Sequence, residues 1–433
     1  MASLPPAAHG SGVLRTTWLA LVLGSVVGAL AAVYLLLVRL LVGLVWDGAD
    51  PRLPGEGRWQ VVLVCVVGGL LVGLLRRRHD RDTPHDLEDV LTLLDGLTGA
   101  DAEQQPLPRA TWLLRAGALG VVSLAAGASL GPEAPLLLMA SGLGQRAARI
   151  LRVTRHEAAY LSSVGAVSGL FGGPLGAVVL PVEGSRRPEV PSRLVGAGVV
   201  AAVSGLLTLL VLLPGEGLHR YVLPDPGSLE GLDLLVDLGW VAVAAVPAAL
   251  VGLALQLSLE PTRRAAERLV PSAVPRAALG GAVLGLCGAV EPLALFSGEH
   301  DGQHLLDAAA TTGAGALLAV AVLKLVATLA CLSTGWFGGQ IFPVVLSGMA
   351  VGLAVATLAG AAHWWGVVPP LGALAAAGAA SACVVLLRRP LAVVALLLFF
   401  FPLEASPGLL AGAAIGMLVL SALGDRVPQP AHH

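Results

Sequence analysis

Apolar runs of bilayer length, interrupted by glycine and proline, recur from one end of this chain to the other. Thr17 to Val45, Trp59 to Leu75, Val195 to Leu213, Leu234 to Leu257, Ala314 to Leu332, Val344 to Ala362, Leu371 to Leu387 and Leu391 to Leu423 are all of this kind. A helix needs about 20 apolar residues to cross the hydrocarbon core, and a tilted one accommodates more. Such runs do not alternate apolar and polar residues, which excludes an outer-membrane barrel. Only 12% of the residues are charged and 56% are hydrophobic, against about 25% charged in an ordinary soluble domain. The chain therefore reads as an all-α polytopic membrane protein, not a soluble enzyme or a disordered segment.

Charge distribution sets the orientation. Of 26 basic residues, Lys324 is the single lysine. The arginines cluster at 76–81, 146–155, 186–187, 263–268 and 388–389 beside apolar segments. The positive-inside rule turns these loops to the cytoplasm. Short basic clusters divided by membrane runs do not make a nucleic-acid surface. Cys65, Cys287, Cys331 and Cys383 lie in apolar runs without CxxC spacing and read as packing residues. Trp18 to Trp46 is too long for the core of a cleavable signal peptide.

Two breaks fall in mid-hydrophobic territory: Gly131-Pro132-Glu133-Ala134-Pro135 and Gly338 to Pro343. They match at an offset of 208 (Pro343 against Pro135), and Pro174-Leu175-Gly176-Ala177-Val178 matches Pro390-Leu391-Ala392-Val393-Val394 at 216. This spacing predicts two related halves, 15–213 and 233–425, with a cytoplasmic tail at 1–14, an extracellular loop at 214–232 and a short polar tail at 426–433. Broken helices meeting at mid-membrane are a transporter plan. Non-helical backbone at that depth belongs where it is buried in protein or lines a cavity. The first N–H groups after each break have no intrahelical partner and carry the positive end of the helix dipole, so two converging breaks make an anion site from partial charges. Glu133 lies inside the first break. An acid at bilayer depth is a functional candidate: ionised, it occupies the anion position, and protonated, it frees it. A capping glutamate that only stabilises its helix is the alternative.

These residues carry a resemblance. GPEAP at 131–135 resembles the GREGP motif of the CLC chloride channel and transporter family. LSTGWFGGQIFP at 332–343 is similar to its SSGxxGGxFxP segment, and KLVATLAC at 324–331 to the helix before it. FGGPLGAVVLPVE at 171–183 resembles FNAPLAGxLFxIEE, and RPLAVV at 389–394 the R-x-P-L-T-G helix start. The resemblance covers about 75–425. It implies a CLC-like fold of roughly 16–18 tilted and broken helices in two inverted repeats. It implies a homodimer joined through later helices of each half, with a separate anion pathway in each subunit of a bacterial inner membrane. Chloride or another small anion is the implied substrate, with protons where transport is coupled, and no cofactor. Glu133 takes the place of the external gating glutamate and proton acceptor. Gly131, Pro132, Ala134, Gly339, Gln340, Ile341 and Phe342 fall at the anion-binding segments, with the N–H groups of Gln340 and Ile341 at the central anion.

The departures from the family pattern concern the inner side. If Pro84 is the proline of the family's GSGIP start, Arg81 stands at the serine position and Thr83 offers the nearest hydroxyl. Glu183 matches the first glutamate of the IEE segment and Gly184 the second, which serves the internal proton route in antiporters. The tyrosine that closes the central site has no counterpart, the tyrosines being Tyr34, Tyr160 and Tyr221. Ile341 stands where the family phenylalanine is expected, and Phe342 follows it. These changes lean towards channel-like or loosely proton-coupled conduction. Proton-coupled chloride exchange and fluoride or nitrate transport remain the alternatives.

Lys324 and Glu183 are secondary candidates. Lys324 either serves function or pairs with a helix end or snorkels. Glu183, Glu291 and Glu404 have structural readings as caps or interfacial acids. Glu299, His300, Asp301 and His304 have some metal-ligand character but read as a solvated extracellular loop. Ser129 and Ser141 would suit an intramembrane protease only with a facing histidine. His363 is the one candidate, and Trp364 and Trp365 beside it mark an interface.

Overall fold

The computed structural model describes residues 9–46, 58–77, 84, 86–87, 89–91, 107–184, 192–214, 220–224, 231–361 and 370–424. In chain order the helices are α1 (His9–Trp46), α2 (Arg58–Arg76), α3 (Ala110–Ala125), α4 (Glu133–Leu151), α5 (Arg155–Phe171), α6 (Pro174–Gly184), α7 (Ser192–Leu212), α8 (Gly231–Leu269), α9 (Ala273–Val290), α10 (Gly302–Ala309), α11 (Ala314–Thr334), α12 (Ile341–Ala361), α13 (Leu371–Leu387), α14 (Pro390–Leu397) and α15 (Ser406–Leu423). By length and composition, eight stretches of the described residues can cross a membrane.

Each helix turns one stripe inward. On α1, Ala20, Leu23, Val27, Ala31 and Tyr34 are buried, whereas Leu21, Val33, Leu36, Leu40 and Leu44 are exposed. The buried set follows the 3.6-residue period; the exposed set is the apolar face that lipid covers. Lipid tails give no hydrophobic drive between helices, so close backbone packing through small residues takes over. A Cβ on Gly28 of α1 would lie 2.3 Å from the carbonyl oxygen of Gly205 on α7. A Cβ on Gly348 of α12 would lie 2.5 Å from that of Gly378 on α13.

The pairings among α1 to α7 recur among α8 to α15. Helix α1 packs on α7, α4 on α5 and α5 on α7; correspondingly α8 packs on α15, α12 on α13 and α13 on α15. Corresponding helices of the two halves meet where α2 lies against α9 and α6 against α14. The extended segments before α4 and α12 meet as well, in an antiparallel bridge between Gly131 and Gly339. These two residues are 339 − 131 = 208 apart, the offset of the proline match. An antiparallel contact between equivalent positions is what an inverted repeat produces where its axis passes.

Several boundaries differ from the sequence reading. The sequence reading contains no span at α9, whose glycines and Arg276 mask the apolar pattern. Arg263 and Arg264, read as a connection, continue α8 to Leu269, supported by a Glu260–Arg264 pair of 2.7 Å one turn apart. The run 391–423 is not continuous: α14 stops at Leu397, and a turn through Phe401 and Pro402 separates it from α15. Arg76, grouped with the loop arginines, is the last residue of α2 and only 1% exposed.

Candidate anion site

Two helix starts converge on one another at the centre of the fold. Helix α3 ends at Ala125, Gly127 turns the chain with φ +87°, and residues 128–132 lead to Glu133. Helix α11 ends at Thr334, Gly335 turns with φ +101°, and residues 336–340 lead to Ile341. Glycine is the residue that adopts this left-handed conformation without steric cost. The N–H of Gly131 donates to the Gly339 carbonyl and that of Gly339 to the Gly131 carbonyl, both at 2.8 Å. Buried backbone needs such partners, and the bridge supplies them where neither segment is helical.

Glu133 is the first residue of α4 and 3% exposed. Its Oε1 accepts the N–H of Ile341, the first residue of α12, at 3.0 Å. Its Oε2 is buried and has no hydrogen-bond partner. The carboxyl fits because both bridge residues lack side chains. A Cβ on Gly339 would stand 2.2 Å from Glu133 Cδ, and one on Gly131 1.9 Å from Oε2. The carboxylate oxygen thus holds the position an anion would take at the start of α12. One helix end is worth about 0.3–2 kcal/mol to a nearby negative charge, whereas burying an ion costs several kcal/mol. The backbone N–H groups of Glu133 and Phe342 also face this carboxylate.

The segments around the bridge are anchored by side chains distant in sequence. Trp46 Nε1 of α1 donates to the Ala125 carbonyl at 3.0 Å. Ser123 Oγ accepts the Phe337 N–H at 3.1 Å. Thr328 Oγ1 lies 3.1 Å from the Ser129 carbonyl oxygen and 3.0 Å from Ser129 Oγ. The Phe296 N–H donates to the Gly127 carbonyl at 3.0 Å, and its ring meets Trp46 edge-on at 5.3 Å.

Lys324 is fully buried, and its Nζ donates to the carbonyls of Leu295 and Phe296 at 2.8 and 2.7 Å. It fastens the turn that roofs the Gly127 segment and does not bond Glu133. Ser129, entertained as a nucleophile, belongs to this anchoring network; His363 lies outside the described residues. Asp301, read as part of a solvated loop, is buried, and Tyr221 Oη of the facing segment donates to the Glu299 carbonyl at 3.1 Å. Burial and the acids Glu299 and Asp301 beside it push the Tyr221 hydroxyl well above its ordinary range.

Arg76 donates through Nε to the Gly335 carbonyl and through Nη2 to that of Pro84 at 2.8 Å. Gln340 Oε1 accepts the Leu87 N–H at 3.4 Å. Asp86 is buried, bonds Arg263 at 2.8 Å and caps the Asp89 N–H at 2.9 Å. Burial and the neighbouring Asp89 raise its carboxyl above the usual range, and Arg263 offsets part of that rise. Arg81 and Thr83, candidates for the inner anion, lie outside the described residues.

Of the other candidates, Pro132 is the N-cap of α4 and has no N–H, and Ala134 is buried in its first turn. Phe342 stacks on Phe171 at 5.0 Å and meets Phe400 edge-on at 5.7 Å. With Ile341, Val345 and Cys383 these rings line a small apolar cavity beside the α12 start. Glu183 sits elsewhere: its Oε1 and Oε2 accept the N–H groups of Leu391 and Ala392 at 2.9 and 2.7 Å, capping α14. Sequence reasoning missed Trp46, Ser123, Thr328 and Arg76. Their roles arise from pairings across tens to hundreds of residues, for which no local signal exists. The four cysteines are buried and unpaired in disulfides.

A family model described as voltage gated chloride channel matches residues 68–421. The putative ion-transport protein YfeO of Escherichia coli strain SMS-3-5 is 28% identical over 76% of each chain. YfeO of Shigella flexneri is 29% identical over 77% of each. Among solved structures, a slow cyanobacterial Cl−/H+ antiporter superposes with a TM-score of 0.80 at 20% identity, covering 98% of this chain and 96% of that one. A CLC-type fluoride/proton antiporter gives 0.74 at 17% identity over 95% and 96%.

Proposed function

This chain belongs to the voltage gated chloride channel family, and from that premise we propose that Glu133 gates the anion pathway it forms across the membrane. The observation that carries this reading is the seat of the Glu133 carboxylate on the Ile341 N–H. A transported anion competes for that N–H, and protonation of Glu133 removes the competitor's charge. Gln340, Ile341 and Phe342 then present the α12 start to the anion, with Gly131, Pro132, Ala134 and Gly339 shaping the approach. Arg81 and Thr83 are assigned to its inner mouth on the motif alignment.

Transport is channel-like or loosely coupled to protons. Gly184 stands where the family's antiporters carry an internal acid. The cavity beside Ile341 is lined by apolar and aromatic side chains, and the ring of Tyr221 reaches it while its hydroxyl is committed to Glu299. Stoichiometric proton exchange is the second reading, favoured by one feature: a buried carboxyl that must change charge or position for the pathway to open. The chain acts as a homodimer in a bacterial inner membrane, with halves 15–213 and 233–425. Chloride is the first substrate to test, then nitrate and fluoride.

Glu133→Gln in purified protein in liposomes tests the proposal. The amide mimics the protonated gate, so chloride flux rises and any coupled proton movement disappears. Unchanged flux removes Glu133 from the gate.

A further inference from the structure

Tyr34 lies midway along α1, a helix that none of the family motifs touches. It is 4% exposed, and its hydroxyl is buried without a hydrogen-bond partner. A Cβ placed on Gly120 of α3 would stand 2.5 Å from Tyr34 Oη and 2.5 Å from Pro135 Cγ. The hydroxyl therefore occupies the crevice between α3 and the first turn of α4, beside the residue two positions after Glu133. It is within electrostatic reach of the Glu133 carboxylate. The Oε2 of Glu133 is the second buried polar atom of this neighbourhood with no partner.

A buried donor and a buried acceptor each left unsatisfied are costly, and a conformation that joins them recovers both. Glycine at 120 leaves the space in which Tyr34 Oη sits, since any side chain there would displace it. The hydroxyl has no structural bond to preserve, which separates it from Thr328 or Ser123. We infer that Tyr34 is a positioning residue for the gate: its hydroxyl receives the Glu133 carboxyl when that group leaves the Ile341 N–H. The gate then has two seats, the start of α12 when shut and the α1 hydroxyl when open. Either charge state of the carboxyl offers an oxygen for the hydroxyl to donate to. The inference rests on Glu133 being the gate. Tyr34 of α1 and Cys383 of α13 both feel the charge of that carboxyl.

Tyr34→Phe removes only the hydroxyl. Because that hydroxyl has no partner with the gate shut, the variant keeps or slightly gains thermal stability; a merely structural hydroxyl would lower it. Chloride flux from liposomes is measured across pH for wild type, Tyr34→Phe, Glu133→Ala and the double variant. Losing the open seat lowers flux about 2- to 10-fold, the worth of one net hydrogen bond, and moves the activation profile to more acidic pH. In the Glu133→Ala background the Tyr34 substitution changes nothing. An equal loss in that background, or no change in either, overturns the inference. Wild-type flux in Glu133→Ala itself, with no altered pH response, instead overturns the gate reading on which it stands.

Discussion

The Glu133 carboxylate accepts the Ile341 N–H at 3.0 Å across 208 residues of chain. Glu183 accepts the Leu391 N–H at 2.9 Å across the same 208. The first half thus places two carboxylates on two helix starts of the second. They differ in satisfaction. Both oxygens of Glu183 are bonded, to Leu391 and Ala392, whereas Glu133 has one bond and one orphan oxygen. The fully bonded Glu183 carboxylate acts as a cap, and the orphan oxygen of Glu133 is what the proposed gate role draws on.

Glu183→Gln tests this division. The amide keeps one acceptor and loses the charge at the α14 start, so stability falls by about 0.5–2 kcal/mol. Anion flux of the folded protein stays near wild type. A lower melting temperature with normal flux in liposomes checks the prediction; lost flux at an unchanged melting temperature goes against it.

Gly339→Ala introduces a Cβ 2.2 Å from Glu133 Cδ. The carboxyl must leave the α12 start, so the site loses its pH-dependent competitor. Flux that responds less to pH than wild type is the expected outcome, with a stability loss of about 1–3 kcal/mol from overpacking. Normal stability and a normal pH response would mean the glycine is not what makes room for the glutamate.

The two breaks that meet in the bridge, and the glutamate inside the first of them, are legible in sequence because they are glycine–proline interruptions of apolar runs, where helix rules fail locally. The span α9 is not, since Arg276 and the closely spaced glycines around it weaken the apolar run; the structure has Arg276 buried, with Nη1 3.3 Å from the Pro271 carbonyl. The arginine-rich end of α8 reads as a loop because its charge pairs, such as Arg264 with Glu260, stabilise a helix beyond its apolar part. Lys324 could be identified as special by depth alone, but its partners Leu295 and Phe296 lie in another element. Tyr34 carries no signal in its neighbourhood: its meaning depends on Gly120, Pro135 and Glu133.

The Asp86–Arg263 pair predicts a pH-dependent stability. The folded carboxyl of Asp86 binds its proton more tightly than an unfolded one. The protonated form is favoured in the fold, so this group's contribution is greatest under acid and is lost as pH rises through the folded pKa. Arg263 limits that loss at neutral pH through the 2.8 Å bond. Arg263→Gln leaves Asp86 buried without its cation, at a cost of up to about 3 kcal/mol at neutral pH, and much less once the carboxyl is protonated. Melting temperatures of both proteins at neutral and mildly acidic pH measure this. A deficit equal at both pH values would contradict it.

The most direct test of the account is chloride efflux from liposomes carrying the purified protein, with external pH recorded alongside, for wild type and Glu133→Gln. The vesicles hold a chloride gradient and a potassium ionophore. Wild type is expected to release chloride with less than stoichiometric proton movement. Glu133→Gln is expected to release it faster with no proton movement. Equal efflux from the two proteins would contradict the claim that the carboxylate on Ile341 is the gate.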